Sequence, residues 1–358
     1  MKMSTRMKLG AATAALTTTT LFAAAVIPTA SAADRDGRTT SVTTNAGVPT
    51  TIDPDRDLAA HTPGSETFWN ESIYFTSTVK GGGHEFGVLV QTVNAPNAGQ
   101  RSMTLTVTDK TTGWFKDYQT TYDKNDYNWS TSELDIKAPG LTWTGNAKKM
   151  SVQTTTPWGS LDFQLKAKGK ALLYGGTGAF SLLGDTNYEY ALPSMDTTGT
   201  LSVKDKTYKV SGETWLDRQW GPIAFDDSSL RWTWTYFLLP NGDKLAVWDA
   251  VNSKTENAWA TVQHPDGSYE LADVEPLADN TWRNWTSSAS GNTYPTRVSV
   301  DIPSLKTHLA VHITGTDNQE TVGALGSRME ATSSYAGVYQ GKRVSGDNYI
   351  EMVGDWKD

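Results

Sequence analysis

The stretch Gly212–Ala250 reads GETWLDRQWGPIAFDDSSLRWTWTYFLLPNGDKLAVWDA and falls into two parts. In the first, Trp215-Leu216-Asp217-Arg218-Gln219-Trp220 sets a carboxylate, a guanidinium and an amide between two tryptophans, bounded by Gly212 and Gly221. The second, Leu230–Leu239, alternates strictly. Trp232, Trp234 and Tyr236 fall on one face and Arg231, Thr233 and Thr235 on the other, which is the two-residue period of a strand. Asn241-Gly242 predicts a tight hairpin through positive φ angles, with Lys244–Ala250 returning antiparallel. An aromatic row beside an acid suits a pocket that presents an apolar, unsaturated molecule to a proton donor. The same residues would also serve as barrel core, with Asp217 and Arg218 an ordinary ion pair at a strand end.

Working outward, the texture stays that of strands. Short runs rich in Thr, Val, Tyr and Trp recur between Gly, Asn, Asp and Pro: Ser72–Val79, Glu85–Val93, Ser102–Thr108, Leu161–Ala167 and Tyr208–Glu213 before the central stretch. After it come Trp259–Gln263, Thr296–Ile302, Thr307–Thr314, Glu330–Tyr339 and Asn348–Gly354. Such composition is what pleated, half-buried segments require. No 12-residue window carries a helical stripe, so the fold class is all-β, and 358 residues suffice for two β-domains in tandem. The expected division is 64–205 for the first and 206–358 for the second, with no strong internal repeat between them.

The N-terminus has the layout of a signal peptide over 1–32. Lys2, Arg6 and Lys8 precede an apolar run from Leu9 to Ile27, and Ala30-Ser31-Ala32 fits a small-residue cleavage site. Residues 33–63, rich in Thr, Asp, Ala and Pro, read as a flexible leader. The expectation is a secreted protein, with no membrane contact after cleavage, since no later segment approaches the roughly 20 apolar residues of a spanning helix. A net charge of −8 with no basic cluster excludes a nucleic-acid partner. Zero cysteines exclude disulfides and thiolate metal sites.

Three motifs resemble one family. Glu71-Ser72-Ile73-Tyr74-Phe75 with Phe86-Gly87-Val88-Leu89 is similar to an opening Glu-Trp-Trp-Tyr-Phe hairpin, with Ser72 and Ile73 in place of two aromatics. Gly212-x-x-Trp215-x-Asp217-x-x-Trp220-Gly221 resembles a central signature, and Gly337-x-x-x-Gly341-x-x-Val344-x-Gly346-x-x-Tyr349-Ile350-Glu351 resembles a closing strand pair. The family is the lipocalin-like group of carotenoid 1,2-hydratases, AttH-like proteins and kievitone hydratase. The resemblance implies two tandem lipocalin-like antiparallel β-barrels, the central motif near their junction, and no cofactor. It also implies either hydration of an isoprenoid double bond or, as in related fungal proteins, cyclisation of a polyene.

Hydrating an alkene needs a carboxylic acid that is still protonated at working pH, which desolvation provides. Asp217 between two tryptophans is the first candidate. A guanidinium touching it would favour the charged form, yet neighbours on a strand point to opposite faces, so Arg218 need not reach it. Asp217 could equally order the motif through backbone amides. Glu71 and Glu351, the other family-matched carboxylates, stand as catalytic candidates on apolar strands, where a buried acid needs a partner or stays neutral. Glu189, between Tyr188 and Tyr190, is a lesser one. Trp215, Trp220, Trp232, Trp234, Tyr236 and Arg218 are the candidate substrate-binding residues, their aromatic faces able to steady a cation. No metal is expected: His308 and His312 lie four apart on an alternating strand, roughly 13 Å from each other. Gly175-Gly176-Thr177-Gly178 reads as a loop without a following helix. The leading expectation is a secreted, cofactor-free, kievitone hydratase-like hydro-lyase acting on an apolar, prenylated or polyene small molecule. The alternatives are a non-catalytic lipocalin-like binding protein for such a molecule, a cyclase of the same family, or a carbohydrate-active protein.

Overall fold

Two curled antiparallel sheets account for nearly every strand. A computed structural model of the chain describes residues 40–42, 52–223, 225, 227–323 and 326–357, so the expected signal peptide lies outside the described residues. Helix among these residues is confined to five 3₁₀ turns of three or four residues, as the absence of any helical stripe predicts.

The first sheet runs, in spatial order, through Trp114–Thr121, Gln100–Asp109, His84–Ala95, Trp69–Gly81, Lys206–Pro222, Asp185–Val203, Gly159–Ala167, Lys149–Thr156, Leu141–Asn146, Leu134–Ala138 and Asn128–Trp129. It curls around its own apolar core, so that Phe75 meets Trp143 and Phe163 across the interior at 5.4 and 6.3 Å. The second runs through Tyr269–Asp273, Glu256–Gln263, Lys244–Val251, Arg231–Leu238, Lys342–Val353, Gly326–Tyr339, Thr307–Ile313, Thr293–Ile302 and Thr281–Thr286, with Thr40–Val42 added at its edge. Its core holds Phe237, Val247, Tyr294, Val300 and Ile350. These are the two lipocalin-like barrels in tandem.

The boundary expected between 205 and 206 is corrected by the pairing. Lys206–Pro222 is the last strand of the first sheet, hydrogen-bonded to both Asp185–Val203 and Trp69–Gly81. The chain changes sheets between Pro222 and Arg231, and residues 205 and 206 sit in a hairpin. The leader is also corrected where it is described. Arg218 takes the carbonyls of Asp57 and Ala59, Trp129 takes that of Leu58, and Leu58 is fully buried, so the segment from Ile52 to His61 is packed on the first barrel. At Asn241-Gly242 only the glycine has a positive φ, 89°. The turn is the longer loop Leu239–Asp243, closed by Leu239 N–H to Asp243 C=O at 3.0 Å.

The two sheets share one connectivity. Leaving aside the added Thr40–Val42, the first four strands of each form a meander and the first of them pairs with the last. Setting the last strands in register equates Trp215-Leu216-Asp217 with Tyr349-Ile350-Glu351. Cross-strand pairing then equates Tyr74 with Trp234, Gln91 with Trp248, and Glu189 with Arg328. Equivalent positions meet face to face: Tyr74 packs edge-on against Trp234 at 5.4 Å, and Thr76 lies 3.4 Å from the Tyr236 hydroxyl. An approximate two-fold axis therefore passes between the sheets. A third apolar cluster fills that seam, including Tyr74, Tyr174, Trp215, Trp232, Trp234, Trp248 and Trp259.

Candidate active site

Alternation along Lys206–Pro222 sorts the central motif onto two faces. Trp215, Asp217 and Gln219 face the seam; Leu216, Arg218 and Trp220 face the first barrel. On that barrel side Arg218 is fully buried and forms an ion pair with Glu71 at 2.6 Å. Its remaining N–H groups donate to the carbonyls of Asp57, Ala59, Ser72 and Gln219. The guanidinium lies 4.4 Å from the Trp129 ring and 5.4 Å from that of Trp220, a cation between two aromatic faces. Trp220 also stacks on His61 at 4.2 Å. Burial would raise the Glu71 carboxyl, but Arg218 and the bonds from His61 outweigh it and hold Glu71 below the usual carboxylate range. Glu71, Arg218 and Trp220 thus form an ionised knot behind the seam, away from Asp217.

On the seam side the first and second sheets enclose a chamber of about 30 Å³, lined by Ser72, Tyr74, Gln91, Glu189, Asp217, Gln219, Trp234, Trp248 and Glu351. That is room for one or two waters. It opens into an outer chamber of about 120 Å³, which shares Ser72, Gln91, Gln219, Trp248 and Glu351 and adds the apolar Leu182, Ile223, Phe225, Trp232 and Val353. The inner end is polar and acidic; the mouth is apolar along one side.

Three carboxyls reach the inner chamber. Asp217 and Glu189 lie on neighbouring strands, one pairing step apart and on the same face, since Ala191 opposes Asp217 and Glu189 opposes Gln219. No lysine or arginine among the described residues pairs with either. Desolvation pushes Asp217 well above the ordinary carboxylate range, against the pull of the bonds from Trp215 and Tyr174, and nearby Glu351 adds to the rise. Glu189 is pushed well up by burial and then by Asp217. Two like-charged groups this close in a dry site do not both ionise near neutrality. The pair therefore retains a proton where an exposed carboxylate would have none.

The opposite wall differs. Glu351 accepts a bond from Trp232 Nε1 at 2.6 Å and lies 3.9 Å from Arg328 Nε. Glu330 accepts from Arg328 Nε at 2.6 Å and from the Tyr74 hydroxyl at 3.0 Å. Arg328 also donates to Gln91. One wall thus carries two acids without a cation, and the other carries two acids with one.

Residues 67–355 match the profile of the AttH-like family. The chain belongs to the AttH-like family. The kievitone hydratase of Fusarium solani subsp. phaseoli is 29% identical to this AttH-like chain over 207 residues, which cover 54% of it and 57% of the fungal protein. The chain thus spans little more than half the length of that relative. The crystal structure of kievitone hydratase from Nectria haematococca superposes with a TM-score of 0.74 at 22% identity, over 89% of this chain and 97% of that one. That of an AttH-type protein from Nitrosomonas europaea gives 0.72 at 18% identity, over 86% and 98%. At such identities both likenesses establish the fold.

Of the candidate residues, the AttH-like seam gathers Asp217, Glu351, Trp232 and Trp234 around the chambers, with the lesser candidate Glu189. Trp215 sits behind Asp217 as a hydrogen-bond donor. Tyr236 stacks on Trp215 at 4.5 Å and lines neither chamber, so it packs the seam. Residues that sequence reasoning passed over are Tyr74, Gln91, Tyr174, Trp248, Arg328 and Glu330. Tyr174 precedes the glycine cluster, where Gly175 at φ 62° turns the chain back. An aromatic before such a turn was the available signal.

Proposed function

We propose that this protein is a cofactor-independent hydratase that adds water across a double bond of an apolar, prenylated or polyene small molecule. The observation that carries the proposal is the Asp217–Glu189 pair, buried without a cation at the end of an aromatic-walled chamber. Asp217 protonates the less substituted alkene carbon, and the tertiary cation forms against the faces of Trp232, Trp234 and Trp248. A water in the inner chamber then attacks it, passing its proton to Glu351 on the opposite wall. One proton is donated and one recovered. The outer chamber takes the apolar chain end-on, and the inner one, where Asp217 and Trp234 lie, must widen to admit the terminal double bond beside a water. A carrier has no need of a buried acid pair that keeps a proton at the end of its cavity, so the Asp217–Glu189 pair favours turnover over sequestration. The relative bearing the name kievitone hydratase supports the same class.

The test is to incubate the protein with a panel of prenylated phenols and linear polyenes and to search for products heavier by one water. Turnover of at least one substrate, reduced by Glu189→Gln with the fold intact, is the expected result. Binding without any turnover would replace the enzyme with a carrier, and an isomer of unchanged mass would replace hydration with cyclisation. We further propose that the protein acts outside the cell, on the strength of the basic N-terminus, apolar run and Ala30-Ser31-Ala32. Mass spectrometry of the culture medium should find a chain beginning at Ala33 or Asp34; intact Met1 would overturn this.

A further inference from the structure

The acids of the seam are each held by a group that can only donate. The indole N–H of Trp215 donates to Asp217 Oδ1 at 2.9 Å. The Tyr174 hydroxyl donates to the same Oδ1 at 3.0 Å, and that hydroxyl in turn accepts the indole N–H of Trp234 at 2.9 Å. Trp248 Nε1 donates to Glu189 Oε2 at 3.1 Å, and Trp232 Nε1 to Glu351 Oε1. An indole N–H cannot accept a hydrogen bond. The chain Trp234 N–H, Tyr174 O–H, Asp217 Oδ1 therefore has one direction: Trp234 fixes the Tyr174 oxygen as acceptor, which commits the phenolic hydrogen to Asp217. Burial first, and then the neighbouring carboxyls of Asp217 and Glu189, push the Tyr174 phenol far above its ordinary value, so it keeps that hydrogen throughout.

Oδ1 thus receives two hydrogens, one from each side, and has no room for a third. No bond among the described residues goes to Oδ2, and Asp217 lines the inner chamber.

We infer that Tyr174 is a positioning residue that forces the acidic proton of Asp217 onto Oδ2, the oxygen left for the chamber and the substrate. The inference rests on Asp217 being the acid of the proposed hydration, but its structural content does not. Without the Tyr174 donor, the proton can settle on Oδ1 and point into the wall, where no alkene reaches it. The same loss removes a bond that favours the charged carboxylate, so the acid becomes weaker as well as misdirected. The groups facing Asp217 are Tyr74, Glu189, Glu351 and Trp234 from the surrounding strands, Trp215 from its own strand and Tyr174 from the turn at Gly175, and Tyr174→Phe changes only one of them by a single oxygen.

Two readouts test this. The first needs no turnover: a carboxyl-carbon NMR titration of aspartate-labelled protein, with Asp217→Asn identifying the resonance. Tyr174→Phe should raise the Asp217 titration by roughly one pH unit, the size expected for losing one hydrogen bond to a carboxylate. Trp234→Phe, which frees the phenolic hydrogen to rotate, should raise it by less. The second readout is the pH profile of hydration. In Tyr174→Phe, kcat should fall about 10-fold with little change in KM, and the alkaline limb should move upward with the titration. An unmoved or lowered titration would overturn the inference even if the enzyme hydrates. A raised titration in a protein that turns over none of the panel would leave the positioning intact and remove the hydratase reading. If Tyr174→Phe destabilises the fold, Trp234→Phe carries the same test with the tyrosine in place.

Discussion

Arg218→Met is expected to destabilise the protein by about 3–5 kcal/mol, the cost of leaving a buried charge without its partner. Both side chains of the Arg218–Glu71 pair are wholly inaccessible, so solvent does not soften the loss. The double variant Glu71→Gln/Arg218→Met should recover most of it, because two neutral groups of similar volume replace the pair. The loss should also have a signature in place. Arg218 supplies donors to the carbonyls of Asp57 and Ala59, so the segment Ile52–His61 should become open to limited proteolysis. Denaturant unfolding and protease mapping on the same variant check both points. The sign with pH follows from Glu71, whose carboxyl is held below its ordinary value in the folded state. Its contribution is present above the unfolded carboxylate range, around pH 4, and is lost as pH falls through the lower folded value. The single variant should therefore lose part of the wild-type acid sensitivity. A cost under about 1 kcal/mol, as for an exposed pair, would show that Arg218 does not hold this region together.

Asp217→Asn is expected to reduce hydration by about 10²–10⁴-fold, the usual contribution of a positioned general acid. The amide can keep its oxygen toward Trp215 and Tyr174 and turn its NH₂ to the chamber, so apolar ligand binding should survive. Stability should move the other way. The folded carboxyl is raised well above its unfolded value, so the native state holds a proton that the unfolded chain gives up. The wild-type contribution is complete below about pH 4 and declines as pH rises toward the folded value. Asparagine carries no such penalty, and the variant should be more stable than wild type at neutral pH, with the difference shrinking in acid. A variant that is less stable at pH 7 than at pH 4, relative to wild type, would mean that Asp217 is ionised in the native protein and is no acid.

The sequence carried the faces of the central strands because a two-residue period leaves no freedom. Once Trp215, Asp217 and Gln219 share one face, Arg218 and Trp220 must share the other, whatever the tertiary structure. The strand of Trp232 and Trp234 followed for the same reason. What the period cannot give is which second sheet covers a face. Glu189 and Trp248 are 59 residues apart, and Tyr74 and Glu330 are 256 apart; nothing local joins them. The boundary was misplaced because an even division of length ignores that the strand carrying Asp217 must pair with the strand carrying Tyr74. The repeat was hidden by chemistry: equivalent positions hold Glu189 and Arg328, or Gln91 and Trp248, while a common pattern survives in short matches such as Trp215-Leu216-Asp217 with Tyr349-Ile350-Glu351 and Tyr74 with Trp234.

The two-fold axis between the sheets also bears on how such a site can diverge. In a dimer of identical chains, every substitution at the axis appears twice, so an arginine gained on one wall is gained on both. Here both walls belong to one polypeptide, and each can change alone. Position 189 is an acid while its counterpart, 328, is a base. A symmetric ring of four acids would have no preferred direction for a proton. With Arg328 on one side only, the chamber has a polarity from one wall to the other, and in the proposed hydration an alkene held between them would meet a donor on one face and an acceptor on the other.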